Sequence, residues 1–419
     1  MEPSTRKEAI FQSRPSPERF QRFLIDCFAF FGPIGTLLSP SFMPSAFRFY
    51  HFFLVFFPLF FIKLKVDEWK TVLIFTPFLL YCLVSAYFTY NHIHAIDSYP
   101  LFRSFLLISQ SLFTFGAACH FKVDQKRLIT LYLAGFFISL IVGYLFFIGF
   151  YSGFISFKTV DRFSVETQIG WGLLRFSPGT YPNEYGNVAS FALSTLIFLY
   201  AKKKHFFTLL FIALTFIALL LTTTRAAYLS FGVALVYLCI VSTEIRKLLF
   251  KFFLIGTALI FTLKGYSIDI ASIFIGGLKA IRLMEGSAGV RLSYWLKGFN
   301  DLDQRIIFGT GFGANIYTHN IYLELLFELG IVGTLLLVLT AIYYLSENSY
   351  AVRKLFLDRE KKMTTRIMII GLIHTFLFAL TNHNMHHHLT WLSFLLFNAS
   401  VKRLSQVPEN PSYFSRTSA

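Results

Sequence analysis

The stretch TVLIFTPFLLYCLVSAYFTY, residues 71–90, decides the class of fold. It carries no charge, and it is long enough to cross a bilayer as a helix, which takes roughly 20 mostly apolar residues. A strand of a membrane barrel would alternate polar and apolar positions over about ten residues. Here the apolar run is continuous. Comparable runs lie near 23–40, 47–64, 71–90, 101–119, 128–151, 183–200, 206–222, 224–241, 248–264, 321–345, 366–382 and 388–401. The expectation is an all-α integral membrane protein of about twelve transmembrane helices. The first run is the weakest, because Asp26 and Pro33 interrupt it.

Composition points the same way. Of 419 residues, 55% are hydrophobic and 14% charged, whereas a soluble domain carries about 25% charged residues. Fifty-four Phe and 21 Tyr are more than one soluble core would bury. A soluble enzyme, a disordered chain and a disulfide-rich secreted domain are excluded. Cys27, Cys82, Cys119 and Cys239 sit inside apolar runs without metal-ligand spacing, so they read as small buried hydrophobes. A net charge of +16 would suggest nucleic acid in a soluble protein. In a membrane protein the distribution of charge carries the information, and no nucleic-acid partner is expected.

That distribution alternates. Twenty-six of the 38 Lys and Arg lie in the two tails and in every second loop. The short loops between them, such as NHIHAIDSYP (91–100) and NHNMHHH (382–388), hold none. Basic loops face the cytoplasm, so both termini are expected there. Residues 1–22 read as a cytoplasmic tail and not as a signal peptide, because no cleavage site follows. Helices 1–9 occupy 23–264 and include an exterior segment, 152–182. A long exterior loop, 265–320, separates the ninth and tenth spans. The last three spans fill 321–401, and 402–419 is a second cytoplasmic tail. There is no internal repeat, and the central loop AKKKH (201–205) is short, which weighs against a two-halved transporter.

The exterior segments hold polar features that helix packing does not require. In LLRFSPGTYPNEYGN (173–187), Pro182 and Asn183 can open a helix, but Arg175 is left unexplained. In LLLTTTRAAYLSF (219–231), Arg225 follows three threonines at a tight hairpin, either snorkelling to lipid phosphates or serving a site. Arg291 opens a short helix on which Leu292, Trp295, Leu296 and Phe299 form one apolar stripe, as expected of a helix in the interface. Gly309, Gly311 and Gly313 form a tight turn or a backbone approach to an anion. His319 and Asn320 sit at the mouth of the tenth span. Asn320, Glu324 and Glu328 then make a polar stripe whose carboxylates must face protein, water or each other. Asp301 and Asp303 resemble a metal clip, but they lie where a helix should end. His383, His386, His387 and His388 have no adjacent carboxylate or cysteine, so no metal is expected at either place.

In order, the chain shows an Arg-x-x-x-Gly-Thr-x-Pro-Asn element, an Arg at a span top, an Arg followed by Trp in a long exterior loop, and GTGFG…HNIYLELLFELGIVG. That order resembles the O-antigen ligase and polymerase superfamily of bacterial envelopes. The resemblance covers roughly 160–345 by motif. It implies a GT-C-like membrane glycosyltransferase of lipopolysaccharide biosynthesis. Such an enzyme moves a glycan from undecaprenyl pyrophosphate to an acceptor hydroxyl at the periplasmic face, with no cofactor or metal. Arg225 and Arg291 match the family's essential arginines and His319 its essential histidine. Arg175 and Asn183 match a less uniform element.

The residue types suit the chemistry. Guanidinium groups stabilise a pyrophosphate leaving group without metal, and a neutral imidazole can take the acceptor's proton. The expected catalytic set is His319, Arg225 and Arg291, with Arg175, Asn183, Asn320 and Glu324 around the pyrophosphate and acceptor. Glu324 would set the imidazole tautomer. The expected acceptor is lipid A-core, which makes a ligase. The alternatives are a polymerase that joins lipid-linked repeat units, and a flippase of lipid-linked sugars.

Overall fold

The computed structural model describes residues 17–35, 37, 48–62, 65–92, 99–120, 123–163, 169–170, 173–252, 254, 287–303, 305–314, 318–357, 363–382 and 385–405. Over these residues the protein is helical, apart from a two-residue antiparallel ladder pairing Ile169 with Leu174 and Gly170 with Leu173. The helices are α1 (Pro17–Phe31), α2 (His51–Leu54), α3 (Val66–His92), α4 (Tyr99–His120), α5 (Gln125–Tyr151), α6 (Phe157–Phe163), α7 (Pro182–Lys203), α8 (Phe206–Leu221), α9 (Arg225–Val241), α10 (Ser287–Asp303), α11 (Ile321–Glu347), α12 (Ser349–Leu357), α13 (Met363–Ala379) and α14 (His388–Ser405).

Among the described residues, four helices are long and apolar enough to cross a membrane: α3, α4, α5 and α11. Three more, α8, α9 and α13, are apolar but shorter. Twelve apolar runs thus do not become twelve such helices. The run at 47–64 is the clearest departure. It folds as the single turn α2 followed by a 3-10 segment, Phe57–Phe61, with Pro58 near its start. Proline has no amide hydrogen to continue a helix. The run at 23–40 stops at Phe31, before Gly32 and Pro33. Most of the run at 248–264, and residues 265–286 of the expected exterior loop, lie outside the described residues.

Burial sorts the helices into inner and outer ones. Only 29% of the apolar stretch of α3 and 39% of that of α11 is buried, against 72% for α4. The outer face of α3 presents Leu73, Leu80, Val84 and Phe88, and that of α11 presents Leu335, Leu339 and Ile342. Apolar faces this extensive are incompatible with water and suit lipid. The protein is therefore a membrane protein. At the centre, α7 packs against α8, α9 and α13, and α14 packs against α4, α12 and α13. Both central helices bury polar side chains: Asn187, Ser190, Ser194 and Thr195 on α7, Ser393, Asn398 and Ser400 on α14.

The bundle has two distinct ends. At one, Lys402 pairs with Glu68 at 2.6 Å and also donates to the Cys119 carbonyl, while Arg127 pairs with Asp26 at 2.6 Å. These residues come from loops expected to be cytoplasmic. Arg103, near the opposite end of α4, is 16 residues from Cys119, or about 24 Å along a helix. The sequence motifs assemble around that second end.

Candidate active site

The hairpin between α8 and α9 carries Arg225 as the first residue of α9, on the surface of the fold. Thr222 and Thr223 close the end of α8, with Thr222 N–H on the Ala218 carbonyl at 3.0 Å and Thr223 N–H on that of Leu220 at 3.1 Å. Thr223 then turns left-handed, with φ of +50°. Only three non-glycine residues with positive φ occur among the described residues: Lys204, which caps α7, Thr223 and His319. Such strain persists where surrounding structure over-determines it, and it clusters at functional sites.

Arg175 approaches the hairpin from the preceding segment. Its Nε donates to the Thr222 carbonyl at 2.6 Å, and its Nη2 to Asn183 Oδ1 at 2.9 Å and Thr224 Oγ1 at 3.0 Å. Asn183 therefore does not cap α7. Tyr181 is the N-cap and Pro182 opens the helix, where its missing N–H costs nothing. Next to Asn183, Glu184 accepts from Thr180 and pairs with Arg48 at 3.5 Å. His387 lies beside this pair. Burial lowers its imidazole pKa, the Glu184 charge opposes that shift, and Arg48 adds to it.

Arg291 sits on α10, half-buried, and two effects lower its pKa: burial first, then the positive charge of Arg225. Two guanidiniums 66 positions apart in sequence are thus close enough to repel each other. One turn beyond Arg291, Trp295 donates its indole N–H to the Thr318 carbonyl at 2.6 Å, and Phe299 meets Phe327 edge-on at 5.0 Å. Of the stripe expected to lie in the interface, Trp295 thus meets the turn before α11 and Phe299 meets α11, while Leu292, Leu296 and Phe299 stay exposed. The indole bond ties α10 to the turn that carries His319, whose φ is +52°. Asn320 is the N-cap of α11, its Oδ1 accepting from Tyr322 N–H at 3.0 Å and Leu323 N–H at 3.2 Å.

Glu324 and Glu328 face protein. Both are gripped by Arg103 of α4, through Nη2 to Glu324 and through Nη1 to the two oxygens of Glu328 at 2.7 and 2.9 Å. Arg103 Nε donates to His386 Nε2 at 3.3 Å, and its guanidinium lies 4.8 Å from the centre of the Phe312 ring. Sequence reasoning missed Arg103. Its signal was present: a lone arginine in an apolar span needs a counter-charge, and α11 carries two carboxylates.

The glycine run is a structural lock. α11 breaks at Gly330, with φ 63° and ψ −167°. Loop 305–311 lies against the break. Thr310 and Gly311 N–H bond the Phe327 and Glu328 carbonyls at 2.9 and 2.8 Å, and Ile331 and Val332 N–H bond those of Ile306 and Ile307, both at 3.0 Å. A Cβ on Gly309 would collide with the Glu328 carbonyl, and one on Gly330 with Gly309 N. Phe312 N–H goes to Ser85 Oγ at 2.9 Å. These amides hold protein, so the turn reading fits. Among the described residues, no three His, Cys, Asp or Glu come together as a metal site. His387 and His388 are buried in the protein, His386 is half-buried, and His383 lies outside the described residues.

Residues 209–338 match the family model described as O-antigen ligase, a span that takes in Arg225, Arg291, His319, Asn320 and Glu324. The match covers about a third of the chain and makes that part similar to O-antigen ligases. No curated protein matches the chain.

Proposed function

We propose that this protein belongs to the O-antigen ligase/polymerase superfamily and transfers a glycan from undecaprenyl pyrophosphate to a hydroxyl of lipid A-core, as an O-antigen ligase at the periplasmic face of the inner membrane. The observation that carries the reading is that the matched span 209–338 contains Arg225, Arg291 and His319, with the positive charge of Arg225 acting on the half-buried Arg291. Like charges held together from separate elements repel unless a shared anion offsets them. A pyrophosphate, with two negatively charged phosphoryl groups, suits two planar guanidinium forks.

In this scheme the acceptor oxygen attacks the anomeric carbon as the bond from that carbon to the pyrophosphate oxygen breaks. The electron pair leaves with undecaprenyl pyrophosphate, whose growing charge Arg225 and Arg291 stabilise. The acceptor proton passes to His319, poised at the mouth of α11 by the Trp295–Thr318 bond. Asn320 and Glu324 hold that mouth, one as cap and the other through Arg103. No metal takes part. The topology has both termini in the cytoplasm, and apolar grooves between the Phe-rich helices hold the polyprenyl chain.

Deletion of the gene tests the choice of acceptor. A ligase deletion leaves long polymer on undecaprenyl pyrophosphate and none on lipopolysaccharide. Lipopolysaccharide with a single repeat unit would instead identify a polymerase.

A further inference from the structure

We infer that Arg175 is a positioning residue for Arg225, and not a pyrophosphate ligand. The inference rests on the proposed role of Arg225. Two guanidinium nitrogens of Arg175 are committed to three acceptors: the Thr222 carbonyl, Thr224 Oγ1 and Asn183 Oδ1. The first two flank Thr223, whose left-handed backbone a β-branched residue disfavours. Thr224 is the N-cap of α9, yet its hydroxyl makes no capping bond to that helix. It donates to the Pro182 carbonyl at 3.1 Å, in the first turn of α7. The start of α9 is therefore held from outside, by Arg175 and α7. The next residue is Arg225.

The other side of the strut is also anchored. Asn183 sits beside Glu184, which Thr180 and Arg48 engage. Gly186, one turn further along α7, leaves no room for a Cβ against the Thr222 and Thr224 side chains. Arg175 thus joins the first turn of α7 to the strained turn before Arg225, and its loss would let that turn relax and carry Arg225 away from Arg291. A displacement of about 1 Å in a catalytic arrangement can cost on the order of 100-fold in rate.

The test pairs Arg175→Gln with Thr223→Gly. Glycine accepts positive φ without strain, so the turn keeps its shape without the guanidinium. Transfer from a defined undecaprenyl-pyrophosphate glycan is measured together with hydrogen exchange of the amides over 222–228. Arg175→Gln should lower kcat by about 10- to 100-fold and speed exchange in the hairpin. Thr223→Gly alone should stay within about twofold of the parent, and the double variant should recover about tenfold of the lost rate and most of the protection. A double variant as inactive as Arg175→Gln, or exchange unchanged by Arg175→Gln, overturns the inference and returns Arg175 to direct contact. If the parent transfers nothing from any lipid-linked glycan, the ligase reading fails and the exchange arm alone decides. Should Arg175→Gln not reach the membrane, Arg175→Lys carries the same comparison, since it keeps the charge and loses the fork.

Discussion

Replacing Arg103 with methionine removes the guanidinium from two buried carboxylates. The side chains of Arg103, Glu324 and Glu328 are 4%, 3% and 0% exposed. Breaking a buried ion pair by deleting one partner costs about 3–5 kcal/mol, because the remaining charge stays desolvated. At about 2–4 °C per kcal/mol, the figure for chains of 150–250 residues, this gives a fall in Tm of roughly 6–20 °C. The present chain is longer and its unfolding entropy larger, so the observed shift should lie towards the low end. The assay is thermal unfolding of detergent-solubilised protein, followed by size-exclusion recovery. The triple variant Arg103→Met, Glu324→Gln, Glu328→Gln should regain at least half of the loss, since it removes every charge from the cluster. A Tm for Arg103→Met within about 2 °C of wild type would mean the cluster contributes less than ~1 kcal/mol. Failure of the triple variant to recover would show that the loss was one of shape and not of charge. Either result refutes the reasoning.

Arg225→Ala, Arg291→Ala and His319→Ala should each abolish transfer at unchanged membrane level, with Arg→Lys rescuing poorly because an ammonium lacks the planar fork; full activity of any alanine variant removes that residue from the mechanism. Activity should survive EDTA, and Asp301→Ala with Asp303→Ala should be mild, whereas loss on chelation restored by Mg²⁺ or Mn²⁺ would bring a metal into the site. Gly330→Ala should sharply reduce the yield of folded protein, because its φ of 63° with ψ of −167° is essentially restricted to glycine and a Cβ there meets Gly309 N and the Ile307 carbonyl; a well-folded Gly330→Ala protein would show that the lock with loop 305–311 is dispensable.

The membrane class, the helical nature of the long runs and the candidate arginines and histidine were all legible in the chain. A run such as 71–90 can satisfy its backbone in lipid only as a helix, and that depends on its own residues alone. The glycine spacing was legible as a tight turn, because backbone sterics are local. The run at 47–64 was misread because apolarity alone does not make a span. Pro58 divides it, and Tyr50, Leu54 and Phe60 are buried in the protein rather than facing lipid.

What only the tertiary structure decided is which polar groups meet. Arg103 is 221 and 225 positions from the carboxylates it binds, and Arg175 is 47 and 49 from the hairpin groups it holds. In sequence Arg103 is a lone cation inside an apolar run and Arg175 an unexplained one in an exterior segment. Packing assigned one to a buried ion cluster and the other to a strained turn. The physical reason is desolvation. A charge in a low-dielectric interior must find its partner wherever the packed helices bring one, so its role is set by neighbours in space that no local sequence pattern specifies.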